Sequence, residues 1–189
     1  GGGGTTIAIA NAVAPGGEVV GIDISPDLTA ASTKRASDAD VGNIRFICAD
    51  ASNVQLPDVP FDRLFSRFGS MFFAEPHQAF ANLRSLLRPG ARIDLAVWAP
   101  PRDNLWMMEM MGVVRRHVDI PPAVPRAPGP FAFEDLEYLN EVLAAGGFSS
   151  PDIMAYTGQQ PVGGVGATAQ EAVSFVLSSM AVGKALDEQ

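Results

Sequence analysis

Short apolar runs alternate along the chain with segments in which apolar residues recur every three or four positions. The runs are typical of strands buried on both faces of a parallel sheet, and the periodic segments of crossover helices. The runs predict strands at 19–23, 45–49, 63–68, 92–98 and 152–157. The periodic segments predict helices at 5–13, 26–37, 76–87, 134–145 and 168–180. This order predicts an α/β fold with a doubly wound, mostly parallel sheet.

The regular alternation breaks after residue 98. A methionine-rich segment, 104–118, is followed by a proline-dense loop, 121–130. Prolines make such a loop stiff and extended, which is more typical of a lid or connector than of a separate domain. We therefore predict a single domain, 1–189, with a lid or substrate-side insertion at about 100–130.

Composition narrows the class of protein. With 47% hydrophobic and 18% charged residues the chain is globular, and its net charge of −8 argues against a nucleic-acid partner. No apolar run approaches the ~18–20 residues of a membrane span, so no membrane partner is predicted. The single cysteine, Cys48, predicts a reducing, cytoplasmic compartment and, within its apolar run, a buried side chain. Neither charge nor pattern predicts an oligomeric state.

The most informative local feature is a run of glycines followed by an acidic residue. Gly1 to Gly4 lead into the first predicted helix, and the next predicted strand ends on Asp23. Glycines at a turn let the backbone approach a ligand, and a helix N-terminus favours a negative group. A carboxylate about 20 residues further on, at a strand tip, can accept hydrogen bonds from both ribose hydroxyls. The combination predicts a nucleoside cofactor.

The order of four further segments indicates a protein family. After the glycine loop come Val-Gly-Ile-Asp-Ile-Ser at 20–25, Phe-Ile-Cys-Ala-Asp-Ala at 46–51, Phe-Asp-Arg-Leu-Phe-Ser-Arg-Phe at 61–68 and Leu-Leu-Arg-Pro-Gly-Ala-Arg at 86–92. Over about residues 1–157 the chain resembles class I S-adenosylmethionine (SAM)-dependent methyltransferases. It is most similar to the small-molecule branch that includes ubiquinone- and menaquinone-biosynthesis-type enzymes. The resemblance implies SAM as cofactor and methyl transfer to a small-molecule acceptor.

The resemblance also implies roles for individual residues along the cofactor. Gly1 and Gly3 match the second and third glycines of the family's loop, which face the methionine part of SAM. Asp23 matches the ribose-binding carboxylate and Ile24 the apolar residue beside adenine. Asp50 and Ala51 match the pair that meets the adenine amino group. The strand tip beside the reactive methyl is matched by Ser66, Arg67 and Phe68.

The family pattern also has parts that this sequence lacks. A strand ending in an acidic residue normally precedes the glycine loop, and an antiparallel hairpin normally ends the sheet. We therefore expect the domain to be truncated at both ends.

Several of these residues also have an ordinary structural interpretation. Asp50 can form a turn before Ala51. Arg67 can bind an anionic substrate or pair with Glu75 or Asp62. His77, our candidate general base, can equally be a surface histidine in the first turn of a helix.

Two further alternatives concern the substrate side and metals. Trp106 and Met107 can line the substrate side of the pocket or simply pack in the core. No cluster of histidine, cysteine and carboxylate has metal-ligand spacing, so we predict no metal.

Two other functions share part of this pattern. An NAD(P)-dependent oxidoreductase also has a glycine loop and a strand-end acid. The Tyr-x-x-x-Lys pair of short-chain dehydrogenases is missing, since the fourth position after Tyr138 is Val142 and that after Tyr156 is Gln160. A non-catalytic SAM-fold binding protein would retain the cofactor residues. Methyl transfer to any acceptor would distinguish it from an enzyme.

Overall fold

The computed structural model describes residues 1–57, 59–159 and 161–179. Its strands are β1 Val19–Asp23, β2 Ile44–Cys48, β3 Phe61–Arg67 and β4 Leu87–Ala96. Its helices are α1 Gly4–Val13, α2 Pro26–Asp38, α3 Pro76–Ser85, α4 Leu105–Val114, α5 Leu136–Ala145 and α6 Ala169–Ser179, with single 3-10 turns at Ser70–Phe72 and Pro101–Asp103.

The strands form two parallel pairs, each joined by a crossover helix. β1 pairs with β2 so that Asp23 lies opposite Cys48, and α2 connects them. β3 pairs with β4 so that Arg67 lies opposite Ala96, and α3 connects them. Parallel strands need such a crossover because a short turn cannot bring the chain back to the same end. The carboxyl ends of each pair therefore lie at one edge, where ligands bind in open α/β sheets.

The core lies where α3 and α5 pack against the sheet. Phe80, on α3, is completely buried, and its ring contacts the rings of Phe73, Phe133 and Phe148 at centroid distances of 6.0–6.3 Å. The strand residues Ile22, Ile47, Leu64 and Ile93 pack against this same cluster. One apolar core thus supports both strand pairs and fixes their carboxyl ends.

The fourth strand begins earlier than the sequence predicts. The Pro89-Gly90 pair lies inside β4, where the register passes from Phe61 opposite Leu87 to Arg63 opposite Arg92. Proline cannot donate a ladder hydrogen bond, so within a sheet it is found at irregularities of this kind. The predicted proline–glycine break is therefore a bulge in the strand, and helix α3 ends before it at Ser85.

Two predictions from the apolar pattern are wrong. The segment 152–157 has no strand structure, and Met154 and Tyr156 are 85% and 92% exposed. A strand needs a neighbour for its backbone N–H and C=O groups, and no described strand pairs with this segment. Cys48 is exposed instead of buried, because its side chain lies at the open end of β2. The predicted C-terminal end of the last helix, Met180, lies outside the described residues.

Helix α5 begins two residues after the predicted position because Asp135 caps it. The Asp135 carboxylate accepts hydrogen bonds from the backbone N–H groups of Glu137 (3.0 Å) and Tyr138 (3.3 Å). It also pairs with Arg126 of the proline-dense loop at 2.9 Å, and the Arg126 guanidinium lies 4.5 Å from the Tyr138 ring centroid. The loop is thereby attached to α5.

Acid should weaken this attachment. The hydrogen bond from Arg126, with those from Tyr138 and Glu137, holds the pKa of Asp135 below its usual value. A carboxyl whose pKa is lowered by folding stabilises the protein above its unfolded pKa, near 3.9, and this is lost as the pH falls through the folded value. We expect Asp135→Asn to lower the melting temperature at pH 7, and this deficit to shrink as the pH falls below the unfolded pKa, near 3.9, toward the lowered folded pKa. Asp152→Asn, at an exposed site outside any helix or strand, is the control, and a pH-independent Asp135→Asn deficit would contradict the linkage.

Candidate cofactor and acceptor site

The glycine loop forms the N-terminus of α1. Gly3 is the N-cap residue, with φ of 79° and ψ of −11°, and its carbonyl accepts the N–H of Ile7 at 2.9 Å. No side chain caps this helix, and its first turn has no acidic residue. The unpaired N–H groups of a first turn can donate hydrogen bonds to an anionic group. This end of α1 is therefore suited to a carboxylate or a phosphate of a ligand.

Helix α2 holds the glycine loop in place. Ser32 is buried, and its hydroxyl lies 2.8 Å from the carbonyl oxygen of Gly1 and 2.7 Å from that of Leu28. Arg35 donates a hydrogen bond to the carbonyl of Gly2. Sequence reasoning missed both residues. A serine at a buried helix position is a signal for such a contact, but the helical pattern alone does not tell which loop it holds.

Asp23 lies at the end of β1, directly beside the glycine loop. Its Oδ1 accepts the N–H of Ser25 at 2.8 Å, and its Oδ2 lies beside the backbone of Gly1. The side chain is 22% exposed, and the neighbouring Ile24 is 71% exposed. The structure thus brings Gly1 and Asp23 together, with an apolar side chain open to solvent next to them. A carboxylate and an apolar surface are what the sugar and the base of a nucleoside require.

The end of β2 continues this edge. The N–H of Ala49 donates to the carbonyl of Asp23 at 3.0 Å, so the segment that carries Asp50 and Ala51 starts next to Asp23. The Asp50 carboxylate accepts the N–H of Ser52 at 2.8 Å, which is the turn-forming role weighed from the sequence. The adenine contact of Asp50 and Ala51 stays a prediction.

Asn82 is a third residue that sequence reasoning missed. Its side-chain amide, on α3, donates to the carbonyls of Ala51 (3.1 Å) and Val54 (3.2 Å). These bonds fix the segment after β2 against the core. The available signal was an amide between the apolar positions Phe80 and Leu83 of an amphipathic helix.

The end of β3 carries Ser66, Arg67 and Phe68 at the same edge of the second strand pair. The Ser66 hydroxyl accepts the N–H of Ser70 at 3.2 Å. Arg67 is exposed, and among the described residues it pairs with neither Glu75 nor Asp62; Asp62 pairs instead with Arg88 at 2.6 Å. The Arg67 guanidinium can therefore still contact an anionic ligand.

Phe68 has an unusual backbone conformation with a visible cause. Its φ is 59°, a left-handed value that is uncommon for a bulky residue. Its N–H bonds the carbonyl of Ala96 at 2.9 Å, and its ring stacks on Trp98 at a centroid distance of 4.4 Å and an interplanar angle of 7°. These contacts fix an aromatic surface beside the ends of β3 and β4.

His77 lies in the first turn of α3 and is exposed. Its Nε2 is 3.5 Å from Glu141 Oε1, and its ring meets Tyr138 edge-on at 6.1 Å. Both partners belong to α5, so these contacts connect two helices. They match the surface interpretation of His77, and its role as a general base stays a prediction.

The two substrate-side candidates on α4 have different surroundings. Trp106 is half-buried and meets Trp98 at 5.9 Å and 58°, in a pocket that both tryptophans line. Met107 is buried and does not line this pocket. The substrate-side assignments of both residues stay predictions, and the geometry favours Trp106.

Among the described residues, no three or more histidine, cysteine, aspartate or glutamate side chains are grouped so as to hold a metal ion. None of the described helices combines the length and apolarity that a membrane crossing requires.

Comparison with known proteins shows which family the chain resembles. Residues 1–90 match the model of a family described as "Methyltransferase domain". Over these residues, just under half of its length, the chain is similar to methyltransferases. The match spans the glycine loop, Asp23, Asp50 and β3, so the family resemblance inferred from those segments is confirmed, and SAM is the cofactor of this family.

Two curated relatives of the chain are methyltransferases by name. The demethylmenaquinone methyltransferase of Thermus thermophilus is 29% identical over 151 residues, covering 72% of this chain and 66% of the relative. The ubiquinone/menaquinone biosynthesis C-methyltransferase UbiE of Stutzerimonas stutzeri is 33% identical over 95 residues, covering 50% of this chain and 37% of the relative. The chain thus spans between about a third and two thirds of the length of these two relatives.

A solved structure supports the fold independently. This is the structure described as "Conversion of a Disulfide Bond into a Thioacetal Group during Echinomycin Biosynthesis". It superposes on this chain with a TM-score of 0.59. The superposition covers 76% of this chain and 57% of that protein, at 20% sequence identity. At this identity the likeness concerns the fold alone. The predicted Rossmann-like α/β class is confirmed, and the single-domain boundaries 1–189 stay a prediction.

Proposed function

We propose that this protein transfers a methyl group from SAM to a small-molecule acceptor. The observation that carries the proposal is the placement of Asp23 beside the glycine loop at the uncapped N-terminus of α1. The family match and the names of the curated relatives support the same reaction.

The residues present fit SAM group by group. The open first turn of α1 can receive the carboxylate of the methionine part, and Gly1, where an added Cβ would meet no atom within 4 Å, leaves room beside it. Asp23 can accept hydrogen bonds from the ribose hydroxyls, while Ile24 and the Asp50-Ala51 segment border the adenine. The proposed cofactor residues thus lie along the carboxyl ends of β1 and β2, and Ser66, at the end of β3, completes the set.

SAM supplies a methyl group that its sulfonium already activates, so the cofactor carries the difficult chemistry. The chain's own task is to bind both partners, exclude water and align them in line. We assign this task to Ser66 and to the stacked Phe68 and Trp98, at the ends of β3 and β4. If the acceptor atom must lose a proton, His77 is our candidate base.

We further propose that the partner is a small molecule and not a nucleic acid, and that the protein works in the cytoplasm. The net charge of −8 would repel phosphates, and the exposed, single Cys48 fits a reducing compartment.

Cofactor choice is the direct test. We expect S-adenosylhomocysteine (SAH) at 100 times its dissociation constant to stabilise the protein by about 2.7 kcal/mol, which raises the melting temperature by about 5–10 °C. NAD and NADP at equal concentration should give no shift. The protein is expressed from its complete gene, and melting is followed by calorimetry. A shift with NAD and none with SAH would overturn the proposal, and SAH binding without methyl transfer to any acceptor would leave a non-catalytic binding protein.

A further inference from the structure

A pocket of about 210 Å³ lies just beyond the carboxyl end of β4. Trp98, two residues after the strand, forms one wall, and Trp106 of α4 forms the next. The opposite side is closed by the turn 161–164 and by Phe175 of α6. None of these closing residues belongs to the cofactor edge described above.

The tryptophan walls are fixed from behind. Trp98 stacks on Phe68 at 4.4 Å, and its backbone N–H contacts the sulfur of the buried Met71 at 3.4 Å. Trp106 is tilted by 58° against Trp98 at 5.9 Å, so the two indoles form a corner. A corner of rigid aromatic faces favours a flat guest, because rings attract one another in stacked and edge-to-face arrangements.

The turn 161–164 and helix α6, on the other side of the pocket, are also held together by specific contacts. Helix α6 starts with a capping box in which Glu171 accepts the N–H of Thr168 at 2.7 Å and Thr168 accepts the N–H of Glu171 at 3.3 Å. The turn packs on the same helix, since a Cβ at Gly163 would lie 3.0 Å from the Cα of Ala172. Turn and helix therefore hold Phe175 together, opposite the tryptophans.

No residue that lines the pocket has an ionisable side chain. A charged guest would lose part of its hydration there and gain no counter-charge, which is unfavourable. An uncharged ring loses little on leaving water and gains apolar contact. The pocket is too small for a whole nucleoside cofactor or a large substrate, so it suits one part of a molecule.

We propose that Trp98, Trp106 and Phe175 hold an uncharged aromatic ring of the methyl acceptor, and that Phe175 determines specificity. The assignment of this ring to the acceptor rests on the proposed methyltransferase function. Trp98, which lines the pocket, stacks on Phe68 just after β3, and this contact links the pocket to the strand ends where we propose that the reaction occurs.

The tryptophans provide a direct assay, because Trp98 and Trp106 are the only two in the chain and both line the pocket. The probes are 4-methylbenzamide and 4-methylbenzoate, which share shape and differ in charge. Excitation at about 295 nm is absorbed almost only by tryptophan, and we expect the amide to change the resulting fluorescence in a saturable way. The benzoate should bind at least about tenfold more weakly. Phe175→Ala should weaken amide binding about tenfold.

Leu177→Ala is the matched control. Leu177 and Phe175 are both on α6 and are 46% and 45% exposed, but only Phe175 lines the pocket. We expect Leu177→Ala to change amide binding by less than about twofold. Equal binding of the two probes, or equal effects of the two variants, would overturn the proposal.

A parallel measurement of the melting temperature with SAH tests the ring pocket and the proposed methyltransferase function separately. A normal SAH shift with no amide binding would contradict the ring pocket and leave the proposed function intact. Amide binding with no SAH shift would contradict the proposed function, and with it the assignment of the ring to a methyl acceptor.

Discussion

Gly3→Ala is expected to destabilise the protein by about 2–5 kcal/mol and to weaken SAH binding. Two costs contribute. The φ of 79° at Gly3 is a left-handed value that costs an L-residue with a Cβ about 1–2 kcal/mol. An added Cβ would also lie 2.9 Å from the Cβ of Ser32, which is closer than real Cβ atoms approach. Because Ser32 is buried on α2, the loop must move to relieve the contact, and with it the carbonyl that Ser32 holds.

The adjacent glycine is the control for this prediction. Gly4 is the first residue of α1, and a Cβ there would meet no atom within 4 Å. We expect Gly4→Ala to be neutral or to stabilise by up to about 1 kcal/mol, since alanine is the better helix former. Urea unfolding gives the free energy of both variants, and calorimetry gives their SAH affinity. Equal destabilisation by the two substitutions would show that the conformation of Gly3 is not the cause.

The sequence predicted the parts of this fold whose signal is local. Strand β1 lies where the apolar run predicts it, and Asp23 ends it as expected. Helix α2 begins at the predicted proline, with Ser25 as the N-cap whose hydroxyl accepts the N–H of Leu28 at 3.3 Å. Strand pattern, proline and cap all fall within a few residues of one another, so a single sequence contains them.

The sequence failed where a structure depends on distant partners. The apolar segment 152–157 has strand composition, but strand formation needs a neighbouring strand that the described residues do not provide for it. Cys48 shows the same dependence, because burial of a strand residue is decided by what packs on its face. The pocket of Trp98, Trp106 and Phe175 joins positions nearly 80 residues apart, and no local pattern indicates which of the apolar residues of α6 faces the tryptophans.

The candidate site divides in the same way. Glycine, aspartate and strand order indicate the cofactor edge because the family's segments keep their spacing. The residues that hold those segments in place, Ser32, Arg35 and Asn82, act across the fold and have no fixed spacing to the groups they hold. The acceptor side depends on loops after the strands, which are the most variable parts of such folds.

Asp23→Ala is expected to weaken SAH binding by about 1.5–3 kcal/mol, the range for hydrogen bonds to a charged group, or about 10- to 150-fold. The reason is that one carboxylate serves two purposes. Its Oδ1 accepts the N–H of Ser25 and so shapes the turn into α2, whereas its Oδ2 faces the glycine loop. Alanine removes both oxygens, so part of its effect on binding comes from the turn.

Asp23→Asn separates these purposes. The asparagine side chain keeps one oxygen that can accept the N–H of Ser25, but it has no charge and only one acceptor oxygen. If Asp23 binds the ribose, SAH affinity falls in Asp23→Asn while the melting temperature without ligand stays near that of the wild type. Asp27→Asn, at an exposed position in the first turn of α2, should leave affinity within about 0.5 kcal/mol. If both asparagine variants bind SAH like the wild type, Asp23 contributes only to the turn, and the ribose must be held by another group on this edge.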